Sequence, residues 1–458
     1  MPLFAPEKLA AWTGGRWTRL PGGALTGFNQ DTRLLGVGQL FVALKTGKRD
    51  GHDFLAEAAA RGAAGALVAR EIPEARVAQL VVADPLAAFQ RIAREHRREF
   101  HGTVVGVSGS AGKTSTKDLL ALLLGGPPKV YATEGNLNNH IGVPLTLTRL
   151  DLAGHVAAVV EAGINTPGEM AGLAEMIEPD HSVITLVGPA HLEKLGSLEG
   201  VAAEKARLPA ANRTGGLAVF PVGCWAFEPF RALPNPLVLV PANEAMVRVD
   251  GRTVTFTVLH RPERTEVTLG GKRTFILRRV SGGMAQNAAL ALSLASELGV
   301  GDAVLQARLA NWRPSKWRGE LQPVGDALVY ADFYNANPAS MADAIGAFAG
   351  LVRADLPRIY VLGCMEELGA GSANYHRQLG RSLLLRPGDF LFVIGDQAAA
   401  VRAGLLENGN DPAQIAVVTE VAPVRERLAG FKGAVFLKAS RRYQLETVLD
   451  PAAAAATH

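Results

Sequence analysis

The sequence predicts an α/β protein of three domains. A small N-terminal α/β domain is expected over residues 1–100. A central parallel-sheet domain, organised on a glycine-rich P-loop and carrying a small antiparallel insert, follows over 101–312. A C-terminal Rossmann-like doubly wound domain completes the chain over 313–458. Three observations predict this. The chain has 458 residues, about three domains at roughly 150 residues each. Short apolar segments alternate with helical patterns along most of it. One glycine-rich segment joins an apolar strand directly to a helix.

In the first hundred residues the spacing predicts strands at 40–44, 66–69 and 80–83, with helices over 53–62 and 87–100. The run of Arg and Glu over 91–99 reads as a solvated helix face. From residue 103, apolar strands at 103–108, 156–160, 183–187 and 217–220 alternate with helices, as in a parallel sheet covered on both faces. The pattern over 245–279 turns to alternating strands, with Asp250-Gly251 and Gly270-Gly271 placed as hairpin turns. A helix is expected over 288–298, stopped by Gly299. Pro314 and Pro323 bracket a polar stretch that reads as a linker. Strands recur at 328–331, 359–362, 390–394, 415–418 and 435–437 with helices between them. The Ala-rich stretch Ala452 to Ala456 reads as a frayed tail.

Composition narrows the function classes. Hydrophobic residues make up 48% and charged residues 20%, which excludes a disordered or collagen-like chain. The net charge of +4 is too small over this length to point to nucleic acid. Cys224 and Cys364 stand far apart without a CxxC spacing, so neither a disulfide framework nor a structural zinc site is expected, and a reducing compartment suits the chain. Glu7 and Lys8 interrupt the first apolar stretch, against a secretory signal. No uninterrupted apolar run approaches the roughly 18 residues that span a bilayer.

The sharpest local signal is Gly106-Val107-Ser108-Gly109-Ser110-Ala111-Gly112-Lys113-Thr114-Ser115. In such a loop Gly109 and Gly112 let backbone N–H groups face a polyphosphate, and the helix N-terminus adds partial positive charge. Lys113 is placed to neutralise the β- and γ-phosphates and the Thr114 hydroxyl to sit on Mg²⁺. Val107 stands where the full pattern has glycine, so the loop is a variant. The bland alternative is a tight strand-to-helix turn with an exposed lysine. Glu161 and His191 each follow a strand of the same domain, at the end where parallel sheets bind ligands. Glu161 suits Mg²⁺, and the imidazole suits a further metal contact. Taken alone, either is more often structural or solvated; together, in the domain that holds the loop, they suggest a shared cation site.

The segment Thr133-Glu134-Gly135-Asn136-Leu137-Asn138-Asn139-His140-Ile141-Gly142-Val143-Pro144-Leu145 closely resembles the one that follows the phosphate loop in the Mur ligases. Asp31-Thr32-Arg33, Leu40-Phe41-Val42-Ala43-Leu44 and Asp50-Gly51-His52-Asp53-Phe54 resemble that family's uridine-nucleotide domain. Asn165 to Glu169, Gly188 to Glu193, and Gly196-Ser197-Leu198-Glu199-Gly200 running on to Lys205 match its centre. Tyr334-Asn335-Ala336-Asn337-Pro338, Glu367-Leu368-Gly369 with His376, and Lys438-Ala439-Ser440-Arg441 match its ligase domain. Several motifs in the right order are more specific than any one loop.

The resemblance implies an ATP-dependent, ADP-forming amide ligase of peptidoglycan precursor synthesis. It would join D-alanyl-D-alanine to UDP-N-acetylmuramoyl-tripeptide through an acyl phosphate. ATP and Mg²⁺ are the implied cofactors, and small molecules the implied partners, in a cytoplasmic monomer with no nucleic acid and no membrane span. Thr114, Glu161, His191 and a carbamylated Lys205 would serve the metal ions; otherwise Lys205 is a surface lysine. Lys113, Lys205, His191 and Arg318 would carry catalysis. The nucleotide would meet Gly109, Ser110, Ala111, Gly112, Lys113, Thr114 and Ser115. Asn287 would contact the adenine, Arg318 the γ-phosphate and Asp332 the ribose. Thr32, Arg33, Asn136, Asn139, Asn335 and Asn337 are the implied substrate contacts.

The chain departs from the family at three places. Gly283-Met284 stand for His-Asn, Ala331-Asp332-Phe333 for Asp-Asp-Ser, and Gly363-Cys364-Met365 for Gly-Asp-Met. Two other readings remain: a related ligase acting on another substrate, such as a folylpolyglutamate synthetase, and a nucleotide-binding protein without ligase activity.

Overall fold

Three sheets, each covered by helices, organise the computed structural model, which describes residues 2–244 and 247–449. The expected tail from Ala452 to Ala456 and the expected ribbon start at Ala245 lie outside the described residues.

The first sheet has five strands in the order Arg16–Trp17, Gln79–Val81, Gly65–Val68, Leu40–Val42, Phe28–Asn29, all parallel except the first. Its helix Pro85–Glu99 starts where Asp84 accepts the N–H groups of Leu86 and Ala87 and Pro85 stands in the first turn. Phe89, Ile92, Ala93 and His96 share its inner face. The charged run on this helix is not solvated throughout. Arg97 is fully buried, donating to the carbonyls of Ile177, Phe100 and Glu178 and to Asp180. A guanidinium has five donors to satisfy, and the chain turns at 177–180 and 100 supply acceptors that no local pattern announces.

The central sheet has nine strands, with Thr103–Ser108 between Ala157–Glu161 and His181–Ile184 and parallel to both. The strand order reverses there, and ligands bind outside the carboxyl ends of strands at such a point. The ribbon Arg252–His260, Arg264–Leu269, Arg273–Arg278 is antiparallel, and Gly270 and Gly271, both at positive φ, form its second turn. Asp250-Gly251 is not a hairpin turn: Arg252–His260 pairs parallel with Pro236–Pro241, so the ribbon extends the central sheet. Its first turn lies at 261–263 instead. The helix expected over 288–298 begins earlier, at Gly282–Glu297.

The third sheet has six strands and begins with Glu320–Val324, antiparallel to Ala327–Ala331. Pro323 therefore lies in a strand rather than bounding a linker, and that strand is at the sheet edge, where a residue without an N–H is tolerated. Among the described residues no helix is long and apolar enough to cross a membrane.

Candidate functional site

The glycine loop leaves Thr103–Ser108 and feeds the helix Lys113–Leu124. Two glycines are dictated by geometry. Gly109 has φ 147°, and a Cβ there would lie 1.9 Å from Thr185 Oγ1. Gly112 has φ 77°, and a Cβ there would lie 2.3 Å from Asn287 Nδ2. Ser110 is pinned by its hydroxyl, which donates to the Gly188 carbonyl and accepts the Gly188 N–H.

Two lysines converge on one carbonyl. Lys113 Nζ and Lys205 Nζ each donate to the Gly109 oxygen at 3.0 Å. Lys205, on the helix Leu198–Ala210, is 1% exposed, so it is not a surface lysine. Burial, reinforced by the charge of Lys113, pushes its pKa well below the ordinary lysine range. Lys113 is half-buried at the cleft rather than exposed, and desolvation lowers its pKa as well.

Glu161 ends its strand 1% exposed. One oxygen accepts from Asn138 Nδ2 at 2.8 Å, and the other is buried without a partner. His191, at φ 55°, turns Nδ1 to Glu367 of the third sheet's domain, which leaves Nε2 without a hydrogen-bond partner among the described residues. A ring nitrogen held by a carboxylate is the usual arrangement behind a metal-binding histidine. Among the described residues no three His, Cys, Asp or Glu side chains are grouped to hold a metal. The donors present, an orphaned carboxylate oxygen, one imidazole nitrogen and the Thr114 hydroxyl, fit a Mg²⁺ ion that takes its remaining oxygens from phosphates and water.

The C-terminal domain supplies the opposite wall. Arg318 donates to Thr114 Oγ1 at 3.2 Å and lies 4.0 Å over the Tyr334 ring. Asp332 pairs with the buried Lys438 at 2.7 Å. Asn337 donates to the Ser110 carbonyl at 2.9 Å while its Oδ1 caps the helix Pro338–Leu351. These groups face a cavity of about 640 Å³ between the two domains. It is lined by Ser110, Ala111, Gly112, Lys113, Thr114, Ser115, Asn136, Asn139, Glu161, His191, Asn287, Arg318, Asp332, Asn335 and Asn337.

Not every expected residue meets there. Gly109 and Lys205 lie outside the lining, Lys205 reaching the loop through the Gly109 carbonyl. Thr32 and Arg33 lie apart, on a short 3₁₀ turn capped by Asp31 in the N-terminal domain. Asn139 and Asn335 face the cavity but spend their side-chain oxygens on nearby backbone N–H groups. Asn138, Glu367 and Lys438 orient the expected residues, yet sequence reasoning gave them no role. All three stand inside the motifs quoted above, so the available signal was adjacency to a functional residue.

Residues 107–233 match the Mur ligase middle domain, and residues 317–441 match the Mur ligase, glutamate ligase domain. The UDP-N-acetylmuramoyl-tripeptide–D-alanyl-D-alanine ligase of Bacillus subtilis is 31% identical over 438 residues, 92% of each chain. The enzyme of the same name from Escherichia coli is 33% identical over 375 residues, 81% of each. A crystal structure of MurF from Acinetobacter baumannii superposes with a TM-score of 0.86 at 27% identity, covering 98% of this chain and 99% of that one. MurF ligase from Thermotoga maritima in complex with ADP gives 0.78 at 27% identity, covering 93% and 96%.

Proposed function

The chain belongs to the Mur ligase family, and from that premise we propose that it joins D-alanyl-D-alanine to UDP-N-acetylmuramoyl-tripeptide in peptidoglycan synthesis, converting ATP to ADP and phosphate. The observation that carries this reading is the single cavity shared by the glycine loop, Glu161 and the C-terminal residues Arg318 and Asp332.

The chemistry explains why such a site is needed. A carboxylate does not acylate an amine in water, because oxide would have to leave. Transfer of the γ-phosphoryl group to the tripeptide carboxylate gives an acyl phosphate with a good leaving group. The amine of D-alanyl-D-alanine then attacks the acyl carbon, a tetrahedral intermediate forms, and phosphate departs. Little of this needs covalent participation by the protein; positioning and charge neutralisation suffice. Loop N–H groups hold the polyphosphate, and Lys113 swings from the Gly109 carbonyl to the phosphates. Arg318 faces the transferring group, Asp332 the ribose and Asn287 the adenine. Mg²⁺, when bound at Glu161, Thr114 and His191, supplies positive charge to the phosphate oxygens. Burial of a reactive acyl phosphate between two domains also limits its hydrolysis.

Lys205 fits a carbamate. A neutral amine is the nucleophile that attacks CO₂: the N–C bond forms, one proton leaves to solvent, and a carboxylate-like anion remains beside Lys113. The depressed pKa of Lys205 supports this assignment. Thr32 and Arg33 are assigned to the uridine nucleotide, and Asn136, Asn139, Asn335 and Asn337 to the substrate face of the cleft. The reaction belongs in the cytoplasm, where ATP is supplied, with the chain acting as a monomer.

Phosphate release should require the UDP-linked tripeptide, D-alanyl-D-alanine and Mg-ATP together. Running the assay with diaminopimelate and with lysine as third residue identifies the natural peptide. ATP hydrolysis indifferent to both peptides, or no turnover with either tripeptide, would overturn the reading.

A further inference from the structure

The helix Gly282–Glu297 opens with two glycines, and the second meets a side chain from the C-terminal domain. Asp343, on the C-terminal domain's helix Pro338–Leu351, reaches across the domain boundary, and its Oδ1 accepts the Gly283 N–H at 2.8 Å. A Cβ on residue 283 would lie 2.7 Å from Asp343 Oδ2 and 2.9 Å from Asp343 Cγ. The glycine and the aspartate are therefore a matched pair.

The first-turn N–H groups of a helix have no partner within it. Here Ser281, the N-cap, accepts from the Met284 N–H at 3.0 Å, while Asp343 takes the Gly283 N–H. One helix end is capped from two domains, and a carboxylate suits the positive end of the helix dipole. Around Asp343 the Ser281 hydroxyl and Lys438 favour its charge, whereas Asp332 opposes it; burial outweighs them and raises its pKa from the ordinary carboxyl range. One turn beyond Gly283, Asn287 lies against Gly112 of the phosphate loop, with its Oδ1 buried and unpartnered. Met284, Asn287 and Asp343 all line the cavity that the loop opens into.

We propose that Asp343 is a positioning residue for the nucleotide: it fastens the C-terminal domain to the first turn of this helix, and so sets Met284 and Asn287 against the base in the closed cleft. The inference rests on the ligase reading only for the identity of the nucleotide.

Calorimetric titration of Mg-ADP into the full chain tests this without any turnover. Asp343→Ala should weaken binding about tenfold, the scale of one lost hydrogen bond. Asp343→Asn keeps an acceptor for Gly283 and should bind within about twofold of the parent. Gly283→Ala separates the latch from a merely structural role. Alanine is the better helix former by about 1 kcal/mol, which offsets the cap it disturbs, so the thermal unfolding midpoint should hardly move, yet its Cβ displaces Asp343 and should weaken Mg-ADP as Asp343→Ala does. With Asp343→Ala already present, Gly283→Ala should add no further loss. Parent-like Mg-ADP affinity in Asp343→Ala or Gly283→Ala, or fully additive losses in the double variant, would overturn the proposal. A parent protein that shows these effects but forms no peptide bond would overturn the ligase reading and leave the latch standing.

Discussion

Glu161→Gln should move stability and function in opposite directions. Glu161 is 1% exposed, one oxygen accepts from Asn138, and the other is buried without a partner. Leaving a buried polar group unpaired costs about 1–3 kcal/mol. Glutamine is nearly the same shape, keeps an oxygen for Asn138 and removes the charge. Most substitutions at buried positions destabilise; this one exchanges an unpaired charged oxygen for an unpaired neutral amide, and unpaired charges cost more, so the ligand-free protein should be as stable as the parent or slightly more so.

Nucleotide reverses the order. A ligand at 100 times its dissociation constant stabilises by about 2.7 kcal/mol, and one bound 100-fold more weakly at the same concentration by only about 0.4 kcal/mol. The magnesium role proposed for Glu161 predicts that its loss weakens Mg-ADP on that scale. Thermal unfolding of both proteins, with and without Mg-ADP, should then show the variant at or above the parent when free and below it when loaded, with phosphate release abolished. An EDTA-treated pair with ADP alone should show a smaller difference. A variant that melts below the parent when free yet keeps the full Mg-ADP shift would refute the reasoning, because Glu161 would then be a structural residue.

Gly109→Ala should cripple nucleotide binding: at φ 147° a Cβ would lie 1.9 Å from Thr185 Oγ1, and backbone strain of about 1–3 kcal/mol adds to the clash. Parent-like Mg-ADP affinity would argue against it. Incubation with ¹³C-bicarbonate should give one carbamate resonance that Lys205→Arg lacks, and bicarbonate-depleted enzyme should lose activity; a carbamate signal persisting in the variant would dissociate it from Lys205. His376 donates from Nδ1 to the Ser372 carbonyl and accepts the Met365 N–H on Nε2, so only the neutral ring satisfies both. Burial lowers its pKa. With the folded value below the unfolded value of about 6.5, the unfolded chain takes the proton first. Its stabilising contribution is therefore complete above about 6.5 and lost as pH falls from there through the folded value. Denaturant midpoints of His376→Gln should depend less on pH across that window, and an unchanged dependence would count against the assignment.

What the sequence made legible is local. The strand–loop–helix from residue 103 to 124 could be read because glycines, a lysine and an apolar run sit within a few residues of one another. Glu161 could be read because strand ends are ligand ends in a parallel sheet. Direction and depth were not legible. Asp250-Gly251 has turn chemistry, yet turn chemistry does not say whether the next strand pairs with its predecessor in parallel or antiparallel sense, and here it runs parallel. Arg97 and Lys205 resemble surface residues in any local window; neighbours about eighty to a hundred positions away bury them. The helix at Gly282 was expected six residues late because Gly282-Gly283 weakens helix propensity, and part of the compensating cap comes from residue 343.

The two lysines on Gly109 join that distant burial to the chemistry. Both Nζ atoms lie 3.0 Å from the same carbonyl oxygen, so two ammonium groups there would repel at short range, one of them almost without water. Three things relieve such a site: loss of a proton, arrival of phosphate oxygens, or conversion of one amine into an anion. The first is favoured by burial, which chiefly lowers the pKa of both lysines, with the charge of Arg318 adding to the effect at Lys113 and that of Lys113 adding to it at Lys205. The second draws Lys113 toward ATP and leaves Lys205 neutral in its pocket. The third turns a repulsive pair into an attractive one, with an added oxygen donor. The second and third reliefs draw on the same crowding, so any coupling between them must come through the added oxygen donor: a carbamate on Lys205 would help hold the Mg²⁺ that accompanies the nucleotide, and nucleotide binding and carbamylation of Lys205 should then each strengthen the other. Bicarbonate should accordingly tighten Mg-ADP in the parent and do nothing for Lys205→Ala, and equal affinity with and without bicarbonate in the parent would break this link.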